Sequence, residues 1–126
     1  PAVEDHVHQV SRRTGLPIHL KIVDVPNAVP LDQATCLFRV MQESVQNVVK
    51  HAHATTVTVQ LRGSSKGGGL SVTDNGKGFD LHDHHARQRG LGLSSMEERL
   101  RQLHGYFQIQ SEPEGGTKVC AWVPCE

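Results

Sequence analysis

One long amphipathic stretch, beginning after Pro30-Leu31-Asp32, restricts the fold of this chain more than any other feature. Leu37, Val40, Met41, Val45, Val48, Val49 and Ala52 recur at three- and four-residue spacings, which puts them on one stripe of a helix running to about Ala52, with Asp32 as the expected N-cap. Such a stripe is stable only against a second layer. Period-two runs supply that layer. Ile18 to Val25 alternates until Pro26; Val57-Thr58-Val59-Gln60-Leu61 and Leu70-Ser71-Val72-Thr73 alternate on either side of a glycine-rich stretch; Tyr106 to Gln110 and Lys118 to Val123 flank the turn Glu112-Pro113-Glu114-Gly115-Gly116. About five strands follow. Gly63-Ser64-Ser65-Lys66-Gly67-Gly68-Gly69 reads by composition as the loop of a hairpin. A second helix is expected over about Leu93 to Leu103, ending near Gly105 with Met96, Leu100 and Leu103 inward, and a weaker third precedes Gly15 with Val3, Val7 and Val10. The fold class is therefore α+β: a two-layer sandwich in which about three helices cover one face of a mixed sheet of about five strands.

Length and composition bound this reading. The 126 residues hold one domain, and a hydrophobic share of 37% with 12 glycines excludes disorder and collagen. Lys plus Arg (13) cancels Asp plus Glu (13), so no overall positive field attracts nucleic acid or anionic membrane, and no direct nucleic-acid partner is expected. No apolar run approaches the ~18–20 residues of a membrane helix. Cys36, Cys120 and Cys125 form neither a CxxC nor a zinc-finger spacing and read as reduced thiols of a cytoplasmic protein. The start at Pro1 suggests a segment of a longer protein.

Four polar constellations stand out. On the long helix, Glu43, Asn47, Lys50 and His51 share a face off the apolar stripe. A carboxylate, a carboxamide and a basic pair there have the hard donors for Mg²⁺ and the charge for phosphate oxygens, although a solvated helix face explains the same spacing. Asp74-Asn75-Gly76-Lys77-Gly78 ends a strand: a strand-end carboxylate accepts a hydrogen bond from an exocyclic amine, and glycines let a ligand lie against the backbone. An ordinary Asn-Gly turn fits these residues equally. Gly90-Leu91-Gly92-Leu93 opens a helix whose free N–H groups suit phosphate, or is a plain loop-to-helix junction. Gly116-Thr117 lies in a tight turn, with a hydroxyl free for a polar contact.

The order and spacing of all four resemble a known family. Gln42-Glu43-Ser44-Val45-Gln46-Asn47-Val48-Val49-Lys50-His51-Ala52 resembles the N box, Asp74 to Gly78 the first glycine box and Gly90 to Leu93 the second, with Gly116-Thr117 closing the set. These are the motifs of the ATP-binding catalytic domain of the gyrase/histidine-kinase/MutL superfamily, the Bergerat fold, over roughly Gly15 to Pro124. The N-box wording and Gly92-Leu93-Ser94-Ser95-Met96-Glu97-Glu98-Arg99-Leu100 are similar to sensor kinases of the nitrate/nitrite type, which pair with helix-turn-helix response regulators.

The resemblance implies that Asn47 ligates Mg²⁺ on the phosphates of ATP, with Glu43 on the metal and water side. Asp74 would bind the adenine amino group and Thr117 would support the base. Gly76 and Gly78 would bend the chain beside it, Gly90 and Gly92 would let the lid and helix start approach the phosphates, and Lys50 and His51 would touch phosphate oxygens. The implied partners are a phosphoacceptor/dimerisation domain of the same kinase and a response regulator, with the full-length protein a homodimer, cytoplasmic or membrane-anchored. An anti-sigma-type serine kinase, a superfamily ATPase with Glu43 as base, and a nucleotide-binding interaction module are the alternatives. Two features depart from the pattern. His104 stands where a glycine is usual, so the turn at Leu103-His104-Gly105 is expected to be tighter or differently capped. His6 and His8 lack the helical hairpin of a phosphoacceptor, so the chain should bind ATP without phosphorylating itself. His82, His84 and His85 with Asp83 have the donors of a borderline-metal site, but a polar loop fixes no geometry, and the cluster reads as a solvated lid.

Overall fold

A computed structural model describes residues 2–23, 31–52, 54–64, 66–77 and 91–124. Val25, Pro26, Gly78, Gly90, Cys125 and the 82–85 cluster lie outside them, as do the side chains of Val3, His51 and Ala52. The elements in order are α1 (Ala2–Thr14), β1 (Ile18–Val23), α2 (Leu31–Asn47), a π turn (Val48–Ala52), β2 (Val57–Ser64), β3 (Gly67–Asp74), α3 (Leu91–Gln102), β4 (Tyr106–Ser111) and β5 (Thr117–Pro124). The strands form one sheet in the order β1-β2-β3-β5-β4. β1 runs parallel to β2 and every other pair is antiparallel, so the sheet is mixed, as expected.

Alternation along the strands separates the two faces. Val57, Val59, Leu70, Val72, Val119, Ala121 and Val123 point to one side, where Val7, Val10, Val40, Met41, Val45 and Leu100 from the helices meet them in a single core. Each fully buried aliphatic side chain is worth about 1.5–3 kcal/mol, so this seam holds the two layers together. Cys36, free and buried within the core, has its thiol pKa raised by desolvation; Cys120 is also free.

Four local expectations need correcting. α2 begins at Leu31, so Asp32 sits inside the first turn and not at the N-cap; its carboxylate still opposes the positive end of the helix dipole there. After Asn47 the helix widens into the π turn. A π turn bonds i to i+5, so a stripe extrapolated at 3.6 residues per turn slips out of phase: Val48 stays at 6% exposure but Val49 rotates out to 40%. The glycine-rich stretch is mostly strand, since Gly63 pairs with Gly68 and Ser64 with Gly67. Gly67 has a packing reason. A Cβ on Gly67 would collide with the Val123 carbonyl and lie 2.7 Å from the Trp122 ring. At the end of α3, finally, the His104 turn is a Schellman cap: the Gly105 N–H donates to Leu100 O (2.8 Å), the His104 N–H donates to Arg101 O (3.0 Å), and His104 holds the left-handed position at φ 64°.

Candidate functional site

Cross-strand register builds one end of the site. Val57 pairs with Asp74, Asp74 with Thr117, and Thr117 with Ser111, which places these residues in one row across β2, β3, β5 and β4. Asp74 has the same parity as Leu70 and Val72, so its carboxylate faces the helix layer and is only 7% exposed. A buried carboxylate needs hydrogen bonds. The Gly76 N–H donates to Asp74 Oδ1 at 2.7 Å, and the backbone of Thr117 donates to the same group. Desolvation pushes the Asp74 pKa up, while these two backbone contacts pull against it.

Gly116 makes the close approach possible. It sits at φ +79°, and a Cβ there would run into the Asp74 carbonyl oxygen. Glycine alone tolerates both conditions. Ser111 Oγ donates to Gly116 O (3.2 Å) and lies 2.8 Å from Thr117 Oγ1, a hydrogen bond in which either hydroxyl can be the donor. A cavity of about 510 Å³ opens at this end of the sheet, lined by Asp74, Ile109, Ser111, Gly116 and Thr117 among others.

Asn75, read from sequence as part of a turn, is a brace. Its Oδ1 accepts from the backbone N–H groups of Thr55 (2.9 Å) and Thr56 (3.0 Å), and its Nδ2 donates to Thr55 Oγ1 (2.7 Å). It therefore ties the chain entering β2 to the chain leaving β3, beside Asp74. The Glu114 N–H donates to Lys77 O, joining the first glycine box to the β4–β5 turn. Sequence reasoning missed the Asn75 brace, for its partners lie about twenty residues away with no local signal; Ser111 was open to discovery through strand parity once β4 and β5 were aligned.

The other end is helical. Glu43 and Asn47 lie one turn apart on the last part of α2, both half-buried, and Lys50 is exposed on the π turn that follows. His51 belongs to the same π turn, and Gly92 to the first turn of α3. π turns are frequent at functional sites. Between Glu43 and Asn47, the Ser44 hydroxyl is buried with no hydrogen-bond partner among the described residues, an orphan that costs about 1–3 kcal/mol unless a further group meets it. This inner edge of α2 thus fits an added polar ligand. Among the described residues no three His, Cys, Asp or Glu side chains converge on a metal position. A Mg²⁺ ion held by Asn47 and Glu43 would take its remaining ligands from phosphate and water, the habit of that ion.

Residues 32–126 match the family of histidine kinase-, DNA gyrase B-, and HSP90-like ATPases. Similar proteins include the sensor histidine kinase MctS of Rhizobium johnstonii, 33% identical over 98% of this chain and 27% of its own length. Others are the histidine-protein kinase/phosphatase DegS of Brevibacillus brevis (31% identical; 98% of this chain, 32% of the relative) and the sensor protein VraS of Staphylococcus aureus (31%; 97% and 34%). The chain spans about a third of the length of these relatives. Its fold is shared by the Acinetobacter baumannii histidine kinase AdeS, with a TM-score of 0.77 at 19% identity over 99% of this chain and 64% of that one. The histidine kinase domain of the Erythrobacter litoralis EL346 blue-light activated kinase gives 0.71 at 20% identity, over 94% and 61%.

Proposed function

Because the chain belongs to the histidine kinase-, DNA gyrase B- and HSP90-like ATPase family, we propose that it binds Mg·ATP and presents the γ-phosphate to a histidine on a separate domain, as the catalytic domain of a two-component sensor kinase. The observation that carries this reading is Asp74: a buried carboxylate lining a cavity, fixed by backbone donors and with acceptor capacity left for a further N–H. The adenine amino group is such a donor. Thr117 would support the same base through its hydroxyl, and Gly76 and Gly78 would leave room beside it.

At the phosphate end, Asn47 would hold Mg²⁺ with Glu43 beside it, and the ion would supply charge neutralisation on the phosphates. Lys50 and His51 would approach phosphate oxygens, and Gly90 and Gly92 would admit them to the N-terminus of α3. An imidazole nitrogen of the acceptor histidine attacks the γ-phosphorus, the bond to the β-phosphate oxygen breaks, and ADP leaves. Little covalent chemistry falls to this chain, whose part is to position and to exclude water. We place it as one domain of a longer, homodimeric protein, working on the cytoplasmic side with a phosphoacceptor domain and a helix-turn-helix response regulator. No described helix is long and apolar enough to cross a membrane. The N-box wording supports the finer placement with nitrate/nitrite-type sensors.

Thermal melting with and without Mg·ATP tests the proposal. At 100 times the dissociation constant the native state gains about 2.7 kcal/mol, which raises the midpoint of a domain of this size by several degrees. No shift up to millimolar Mg·ATP sinks it. Asp74→Asn should abolish most of the shift and Asn47→Asp should change its Mg²⁺ dependence. In the full-length protein the transferred phosphoryl group should be acid-labile, as on histidine; an acid-stable ester would point to a serine acceptor.

A further inference from the structure

The face of the sheet turned away from the helices has its own chemistry. One cross-strand row runs Val23, Arg62, Gly69, Trp122, Tyr106 over β1, β2, β3, β5 and β4. At one end Tyr106 stacks on Trp122, with ring centroids 5.8 Å apart and planes 23° from parallel, and Tyr106 remains 59% exposed. The Trp122 ring leans over the bare backbone of Gly67 and Gly69. Across the glycine gap stands Arg62. In the amide orientation that satisfies both groups, Gln60 accepts from Arg62 Nε (3.0 Å) and Nη2 (3.1 Å), which fixes the guanidinium and leaves its outer N–H groups unused by Gln60.

Charge completes the picture. The strands carry four ionised side chains, Lys21, Arg62, Lys118 and Asp74, and Asp74 alone faces the helix layer. Among the described strand residues, every ionised side chain of the open face is therefore basic, in a chain of zero net charge. Strands lie ~4.8 Å apart, so Arg62 and Tyr106 stand roughly 14 Å from each other, the span of a short peptide. Trp, Tyr and Arg are the side chains that dominate protein interfaces.

We propose that this face docks an acidic polypeptide segment of a partner protein, one with carboxylates flanking an apolar side chain. The apolar side chain packs on the Tyr106–Trp122 pair beside the glycine floor, and the carboxylates meet Arg62 and Lys21, with Arg62 already oriented for a bidentate contact. Single-stranded nucleic acid suits the face less: it takes one separate aromatic platform per base, whereas these two rings are stacked on each other.

Trp122 is the sole tryptophan, so its emission reports occupancy. The probe is a synthetic twelve-residue peptide with a central Leu flanked by Glu, titrated into the chain against the same peptide with Gln for Glu and against an oligothymidine of matched charge. Expected is a saturable emission change with the Glu peptide alone, weakening as salt rises. Arg62→Glu and Lys21→Glu should each lower its affinity at least tenfold, and Tyr106→Ala should do likewise in a chemical-shift titration. All three variants should retain the wild-type melting midpoint and the Mg·ATP-induced shift. Equal binding of the Gln peptide, tighter binding of the oligothymidine, no saturable change to millimolar peptide, or wild-type affinity in both charge reversals would overturn the proposal.

Discussion

The two faces of the sheet differ in what they ask of their side chains. On the helix side, parity and burial act together: Val57, Val59, Val72 and Val123 interlock with α2 and α3, and the one carboxylate admitted, Asp74, is surrounded by donors. On the far side Lys21, Arg62, Thr73, Gln108 and Lys118 are exposed while Thr58, Gln60 and Ser71 are partly buried, and the contribution of such residues to stability is small. The comparison teaches that the demanding face supplies the buried carboxylate of the candidate site, while most of the tolerant face is left for other contacts.

Truncation tests this division most strongly. Leu100→Ala removes a side chain with no exposure and should cost about 2–5 kcal/mol in a denaturant melt, while Tyr106→Ala on the opposite face should stay below about 1 kcal/mol. Similar losses at both positions would erase the distinction. Gly67 sharpens it from the other side, because it lies on the tolerant face yet is closed in by Val123 O and the Trp122 ring. Gly67→Ala should cost about 1–3 kcal/mol through overpacking, read by the same melt and by a changed Trp122 near-ultraviolet signal.

The helix layer has its own weak seam at His6, which meets Phe38 of α2 edge-on at 5.8 Å. Burial first, and then Arg13, lower the His6 pKa from 6.5. The unfolded chain thus takes up its proton before the native one, so stability is complete above pH 6.5 and declines as pH falls from there toward the lowered native value. His6→Phe should flatten that step in a comparison of melting midpoints at pH 7.5 and 5.5; an unchanged step would place the cause elsewhere. The smallest effect is a gain. His104→Gly relieves a left-handed residue and should stabilise by about 0.5–1 kcal/mol.

Strand and helix positions were legible wherever local periodicity and burial coincide, as at Val57 to Leu61 or at Met96 and Leu100. They misled where a distant contact decided. Gly67 signals a loop by type, but the reason for it is Trp122, far along the chain. Val49 fits the apolar stripe until the π turn changes the helical phase. In the candidate site, strand ends and glycines pointed to Asp74 and Thr117, and the resemblance supplied their expected roles. The Asn75 brace had no signature, because a side-chain amide bonding to Thr55 and Thr56 looks in sequence like any Asn-Gly turn.

The strand order has a consequence for what can be inserted into this chain. β5 pairs with β3 across Asp74↔Thr117, positions roughly forty residues apart, so the connection that carries α3 and β4 is already a long closed loop. Closure entropy grows only logarithmically, and doubling such a loop costs about 0.6 kcal/mol. A foreign segment placed ahead of α3 would therefore leave the sheet nearly as stable as before, which makes that connection the economical point at which to fuse a reporter or to lengthen the chain.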